Sequence, residues 1–215
     1  MGRTLAEHES LALLRERGVP VVEEAVVDRP DEAAAAATRV GFPVVVKLTG
    51  AGLAHKSERG LLRLGLRCPA DVEAAAAELL AAAGPDDGAV RLVVAPMVAG
   101  SRELLAGAYQ DPQFGPCVLV GVGGVLAEAL DDVAVRLAPI EARDGHEMLD
   151  DLRAAAILGP FRGEPAVDRE RLVAILLALS ELVTTRPDVA AVDVNPLVVV
   201  DGRPVAVDAL VELRT

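Results

Sequence analysis

The sequence predicts an α+β fold of two lobes, and three observations predict it. Helix and strand signals alternate as far as Ala83, strand signals dominate afterwards, and Gly84-Pro85-Asp86-Asp87-Gly88 separates the two stretches. The 215 residues are room for one large domain or for two small lobes sharing a cleft. The expected lobes are 1–90, with the N-terminal helix, and 91–215.

Each element has its own signal. Thr4 and Glu7 form a capping-box pattern, Leu5, Leu11 and Leu14 supply apolar spacing, and Gly18 with Pro20 stop this first helix. A strand over 21–27 follows. Pro30, then Asp31 and Glu32 in the first turn of an Ala run, mark a helix that Gly41 ends. Val44-Val45-Val46 is a short continuous apolar run, typical of a buried strand, ending on Lys47. A Gly-containing loop, 50–60, leads to a strand at 62–66 and a helix from 69 to 83. Beyond the break, β-like runs lie at 92–95, 103–109, 117–120 and 133–137. A long helix over 168–185 places Leu172, Ile175, Leu176, Leu179, Leu182 and Val183 on one stripe, and Pro187 closes it. The last strands, 189–200 and 204–207, are joined by the hairpin signal Asp201-Gly202.

Composition narrows the function. Hydrophobic residues make up 52% but aromatic ones only 2%, so the core must be built from Ala, Val and Leu. Twenty-one Lys and Arg against 33 Asp and Glu give a net charge of −12, which argues against a general nucleic-acid binder. Any polyanionic ligand must be met locally, by a few placed cations or a metal. Cys68 and Cys117 are wrongly spaced for zinc and read as reduced packing residues. No apolar run approaches the roughly 18 to 20 residues of a membrane span. Glu7, Glu9, Arg15, Glu16 and Arg17 interrupt any signal-peptide pattern, so a cytoplasmic protein is expected.

Several motifs bear on chemistry. Gly50-Ala51-Gly52-Leu53-Ala54-His55-Lys56-Ser57 differs from a phosphate-binding P-loop by His55 in the place of its second glycine, and no helix signal follows; a P-loop NTPase is excluded. Gly121-Val122-Gly123-Gly124 follows a strand, but Leu126 and the absence of a βαβ pattern exclude a dinucleotide fingerprint. Lys47, closing a buried strand, needs an anion or a route to solvent. Strand alternation puts Asp193 and Asn195 on one face, and the final hairpin brings Asp208 back beside them. Oxygen ligands of this kind suit Mg²⁺, with Glu128 as a further acidic contact, although Asp and Asn also flank turns for local reasons. His55 is suited to be a nucleophile or a phosphate contact, or an ordinary loop hydrogen-bonding residue, whereas His8 and His146 are expected at the surface.

In this order, these pieces resemble the ATP-grasp domain of the ADP-forming (NDP-forming) acyl-CoA synthetases, related to the succinyl-CoA synthetase β subunit. The resemblance covers nearly the whole chain. It rests on Gly41-Phe42-Pro43-Val44-Val45-Val46-Lys47, His55-Lys56-Ser57, Arg102-Glu103-Leu104-Leu105-Ala106-Gly107 with Asp111-Pro112-Gln113-Phe114-Gly115-Pro116, Gly123-Gly124-Val125-Leu126-Ala127-Glu128, Asp193-Val194-Asn195-Pro196-Leu197 and Ala206-Val207-Asp208-Ala209. It implies an ATP-grasp fold whose two lobes enclose ATP or ADP, with Mg²⁺ on the C-terminal lobe. Lys47 would contact phosphate, Ala95-Pro96-Met97-Val98 would lie beside adenine, and Glu103 would reach the ribose. Asn195 and Asp208 match the metal positions, supported by Asp193 and Glu128. His55 matches a phosphohistidine position, and Arg136 an arginine that stabilises charge on the transferred phosphoryl group.

The chain departs from the family pattern at Leu61, where a second glycine is usual, at Ala95, where a polar residue is usual, and at Glu58, in place of Asp. The resemblance also implies a partner: a CoA-binding and ligase α subunit, or fused domain, carrying a second active-site histidine, in a hetero-oligomer. The expected activity is phosphate exchange between a phosphohistidine and ADP·Mg. The alternatives are a catalytically inactive ATP-sensing module of a larger assembly and an ATP-grasp ligase with an unrelated acid and nucleophile.

Overall fold

The computed structural model describes residues 2–50, 53, 59–124 and 130–214, the side chain of Asp86 excepted. His55, Lys56, Ser57 and Glu128 lie outside the described residues. The chain divides into two compact units, one of Thr4–Glu9 and Val22–Val98, the other of Met1–Arg3, Ser10–Val21 and Ala99–Thr215. The division at 98/99 replaces the expected 90/91, and Gly84–Gly88 falls inside the smaller unit. The strand after that turn explains the difference, because it hydrogen-bonds on both sides to strands of the smaller unit.

The chain opens with β1 (Arg3–Thr4) and α1 (Glu7–Glu16). Thr4 is therefore in a strand rather than capping a helix, and the Ala6 N–H instead donates to Glu9 Oε2 at 2.9 Å. The smaller unit contains β2 (Ala25–Val27), α2 (Pro30–Val40), β3 (Val44–Thr49), β4 (Leu62–Leu66), α3 (Pro69–Ala81) and β5 (Arg91–Pro96). Its strands form an antiparallel sheet in the order β2-β5-β3-β4. Val44, Val46 and Leu48 alternate toward one face and pack with Leu92 and Val94 against Ala33, Ala36, Ala37, Val72, Ala76 and Leu79. Small alanines on both helices let the backbones approach this aliphatic core. Lys47 does not close its strand: β3 continues to Thr49, because Leu48 and Thr49 still pair with Leu92 and Arg91.

The larger unit adds β6 (Arg102–Asp111), β7 (Gly115–Val122), β8 (Val133–Leu137), α4 (Ala142–Asp150), α5 (Arg169–Thr185), β9 (Val189–Val200), β10 (Arg203–Ala206) and β11 (Leu210–Leu213). The sheet order is β1-β11-β9-β6-β7-β8, with β10 also on β9. Leu104, Ala106, Ala108, Val118, Val120, Val192 and Val194 are all buried on the face that packs on α5. Asp168 caps α5, its carboxylate accepting from the Arg171 N–H at 3.1 Å. Asp201 and Gly202 both have positive φ, 48° and 79°, as a type I′ hairpin requires. Three elements carry no expectation from sequence, β1, α4 and β11, and the strand expected over 21–27 shrinks to β2, Val21 making only an isolated bridge to Ala206.

Candidate functional site

The larger unit gathers oxygen donors around an irregularity in β9. Leu197 pairs with Leu104 and Val194 with Ala106, so Asn195 and Pro196 together oppose Leu105, a β-bulge. Alternation puts Asp193 and Asn195 on the face turned away from α5, because Val192 and Val194 point into the core. The same bulge separates the partners of β9 on its other edge: β10 ends at Ala206 opposite Leu197, and β11 begins at Leu210 opposite Asp193. Val207 to Ala209 cross this gap, the Val207 N–H donating to the Pro196 carbonyl at 3.3 Å, so the half-buried Asp208 comes alongside Asn195.

Glu103 and the Gly-rich turn complete this face. Glu103 pairs with Val198 on the side opposite the buried Leu104. Gly124, with φ of 71°, donates its N–H to Asn195 Oδ1 at 3.4 Å, and a Cβ there would lie 1.9 Å from Glu103 Oε2. Only glycine fits: it supplies the left-handed turn and leaves room for the carboxylate. Gly124 thus touches both side chains, which accounts for the Gly-rich turn by close packing rather than by a dinucleotide.

Asp193 is exposed, yet desolvation raises its carboxyl above the ordinary range. Solvent reaches the side chain, while the protein packed around it displaces much of the bulk water that favours the charged form. Among the described residues no group of three or more His, Cys, Asp or Glu could hold a metal ion. The donors present, two carboxylates and a carboxamide, fit Mg²⁺, which binds through one or two carboxylates and completes its shell with water and phosphate oxygens.

The smaller unit carries the cation. Lys47, Thr49, Val45, Val93 and Ala95 share the sheet face away from α2 and α3. Lys47 Nζ donates to Glu7 Oε1 at 2.6 Å, so the anion it requires is a glutamate 40 residues earlier. Ala95 and Pro96 end β5, the Met97 N–H donates to the Pro43 carbonyl at 2.9 Å, and Val98 is the last residue of this unit. Ala95 is buried, whereas Met97 is open to solvent. Arg59 makes two bonds to Asp87, of 2.8 and 2.9 Å, and holds its carboxyl below the ordinary range.

Arg136 is not brought to the acidic face. It pairs with Val118, whose side chain points into the core, and it bonds Asp151 at the end of α4. It therefore projects on the opposite face from Asp193, Asn195 and Glu103, and its strand lies three places from β9, about 14 Å away. The role expected for it in charge stabilisation has no support in this placement. His8 is also not a plain surface residue, since its Nδ1 lies 3.1 Å from Oγ1 of the buried Thr49. His146 lies on α4 with Nε2 3.2 Å from Glu170 Oε1. Glu7 was hidden by its place in a helix's first turn, where an acid is expected for local reasons.

A helix-backed antiparallel sheet carrying a lysine, and a larger sheet presenting oxygen donors, agree with the ATP-grasp resemblance. The chain belongs to that family: the ATP-grasp domain matches residues 1–213. It is 33% identical over 210 residues to the β subunit of an ADP-forming acetate–CoA ligase I from Pyrococcus furiosus, over 96% of this chain and 90% of that one. It is also similar to solved structures of a dinucleotide-forming acetyl-coenzyme A synthetase 1 from Ca. Korarchaeum cryptofilum. The form with coenzyme A, Ca-AMPCP and HgCl⁺ superimposes with a TM-score of 0.92 at 30% identity, over 99% of this chain and 94% of that one. The form with coenzyme A and Mg-AMPPCP, whose phosphohistidine segment points towards the nucleotide binding site, has a TM-score of 0.84 at 32% identity, over 98% and 93%.

Proposed function

We propose that this chain is the ATP- and ADP-binding, phosphoryl-transferring subunit of an ADP-forming acyl-CoA synthetase, for which the reaction is acyl-CoA + ADP + phosphate ⇌ acid + CoA + ATP. The observation that carries this reading is likeness along nearly the full chain to a synthetase solved with Mg-AMPPCP and a phosphohistidine segment directed at the nucleotide. His55 carries the phosphoryl group. In the transfer step the N–P bond to its imidazole breaks, a terminal oxygen of ADP forms the new P–O bond, and the N–P electron pair stays on the ring nitrogen.

Lys47 meets the nucleotide phosphates as a point charge, Ala95, Pro96, Met97 and Val98 lie beside the adenine, and Glu103 accepts from a ribose hydroxyl. Asn195 and Asp208 hold Mg²⁺, with Asp193 and Glu128 in support. When bound, the ion neutralises charge on the phosphates. The chain's own contribution is positioning and electrostatics, the terms that dominate phosphoryl transfer. A partner α subunit or fused domain binds CoA, carries the second active-site histidine and forms a hetero-oligomer with this chain in the cytoplasm.

The test is incubation of the purified chain, alone and with its partner, with γ-labelled ATP and Mg²⁺. Acid-labile, base-stable label on the protein, absent in His55→Ala, is the expected result. Tight ATP binding without label would instead make the chain an ATP-sensing module.

A further inference from the structure

Two neighbouring side chains of α1 grip one face of β3. Lys47 and Thr49 stand two residues apart on that face; Glu7 Oε1 accepts from Lys47 Nζ at 2.6 Å, and His8 Nδ1 lies 3.1 Å from Thr49 Oγ1. The Glu7 side chain is 1% exposed and that of Lys47 13%. Burying a carboxylate so completely is costly unless a cation meets it, and capping does not call for it, since the Ala6 N–H is already capped by Glu9. The Lys47 ammonium, 2.6 Å away, offsets that cost.

The geometry points to Glu7 as a positioning residue for nucleotide binding. It holds the Lys47 ammonium in place, so that the lysine meets phosphate without first losing the freedom of a four-carbon stem. An ammonium has three N–H groups, so the carboxylate and a phosphate oxygen can share it. This inference rests on the reading of Lys47 as a phosphate contact.

Calorimetric titration of the purified full chain with Mg·ATP and, separately, with adenosine tests it. Lys47→Ala weakens Mg·ATP binding at least tenfold and leaves adenosine unchanged. Glu7→Gln weakens Mg·ATP about tenfold, leaves adenosine unchanged, and adds nothing in the Lys47→Ala background, the signature of two residues acting as one unit. Glu7→Asp, which keeps the charge and shortens the reach, recovers part of the loss and serves as the second variant where Glu7→Gln folds poorly. His8→Ala breaks the neighbouring contact; it lowers Tm without altering the ratio of ATP to adenosine affinity. A Lys47→Ala chain that binds Mg·ATP normally overturns both the phosphate reading and this inference. If Lys47→Ala weakens Mg·ATP but Glu7→Gln leaves it unchanged or tightens it, only the positioning role falls.

Discussion

Two charged positions, one in each unit, sit in opposite settings. In the smaller one Lys47 is held by Glu7, at 2.6 Å, as Arg59 is by Asp87, at 2.8 and 2.9 Å. In the larger one, Asp193 and Asn195 share a face at a strand bulge, and the Asp193 carboxyl is shifted upward by desolvation with no cation offsetting it. The contrast suits the proposed function, in which a chain of net charge −12 would meet a polyphosphate through a placed lysine and a metal ion.

Removing the oxygen donors is the largest predicted break in that contrast. Asp208→Ala and Asn195→Ala each weaken Mg²⁺-dependent ATP binding by about 10- to 100-fold, while binding of metal-free adenosine is unchanged, read by titration with and without Mg²⁺. Arg59→Ala comes next. The depressed carboxyl of Asp87 contributes stability above the ordinary carboxylate range and loses it as pH falls through the shifted value, so the variant melts a few degrees lower at neutral pH. The gap narrows in acid, as melting curves against pH would record.

Asp193→Asn acts in the other direction and more weakly. A carboxyl raised in the folded state contributes stability at low pH that is lost as pH rises through the shifted value. The amide therefore gives an equal or slightly higher Tm at neutral pH while weakening Mg²⁺ binding, and a lower Tm with intact Mg²⁺ binding would break the comparison. The smallest effect is expected for Arg136→Ala. Its side chain lies on the helix side with Asp151, so labelling from ATP changes less than twofold, within what a surface ion pair is worth.

Local signals carried most of the elements. The strands Leu62–Leu66, Val133–Leu137 and Val189–Val200 coincide with the runs read from apolar patterning and turn residues. The shared face of Asp193 and Asn195, and the return of the chain past them after the hairpin, were legible because they need only alternation along one strand and a turn signal. Three features were not legible, each for a long-range reason. Which face Arg136 takes depends on register through β6 and β7. Helix α4 hides behind Gly145, a poor helix former, whose missing side chain lets α4 approach Val173; a Cβ would lie 2.8 Å from Val173 Cγ1. The boundary at 98/99 depends on β5 pairing back to β2 and β3, whereas the composition breaks earlier, at a short turn that Asp87 ties to Arg59.

The central claim, reversible phosphoryl exchange with ADP, is tested most directly by a chase. The chain is labelled from γ-labelled ATP, freed of nucleotide and mixed with unlabelled ADP and Mg²⁺. Recovery of the label in ATP, with loss from the protein in equal amount, is the predicted result. Label that stays on the protein, or leaves only as inorganic phosphate, would contradict it.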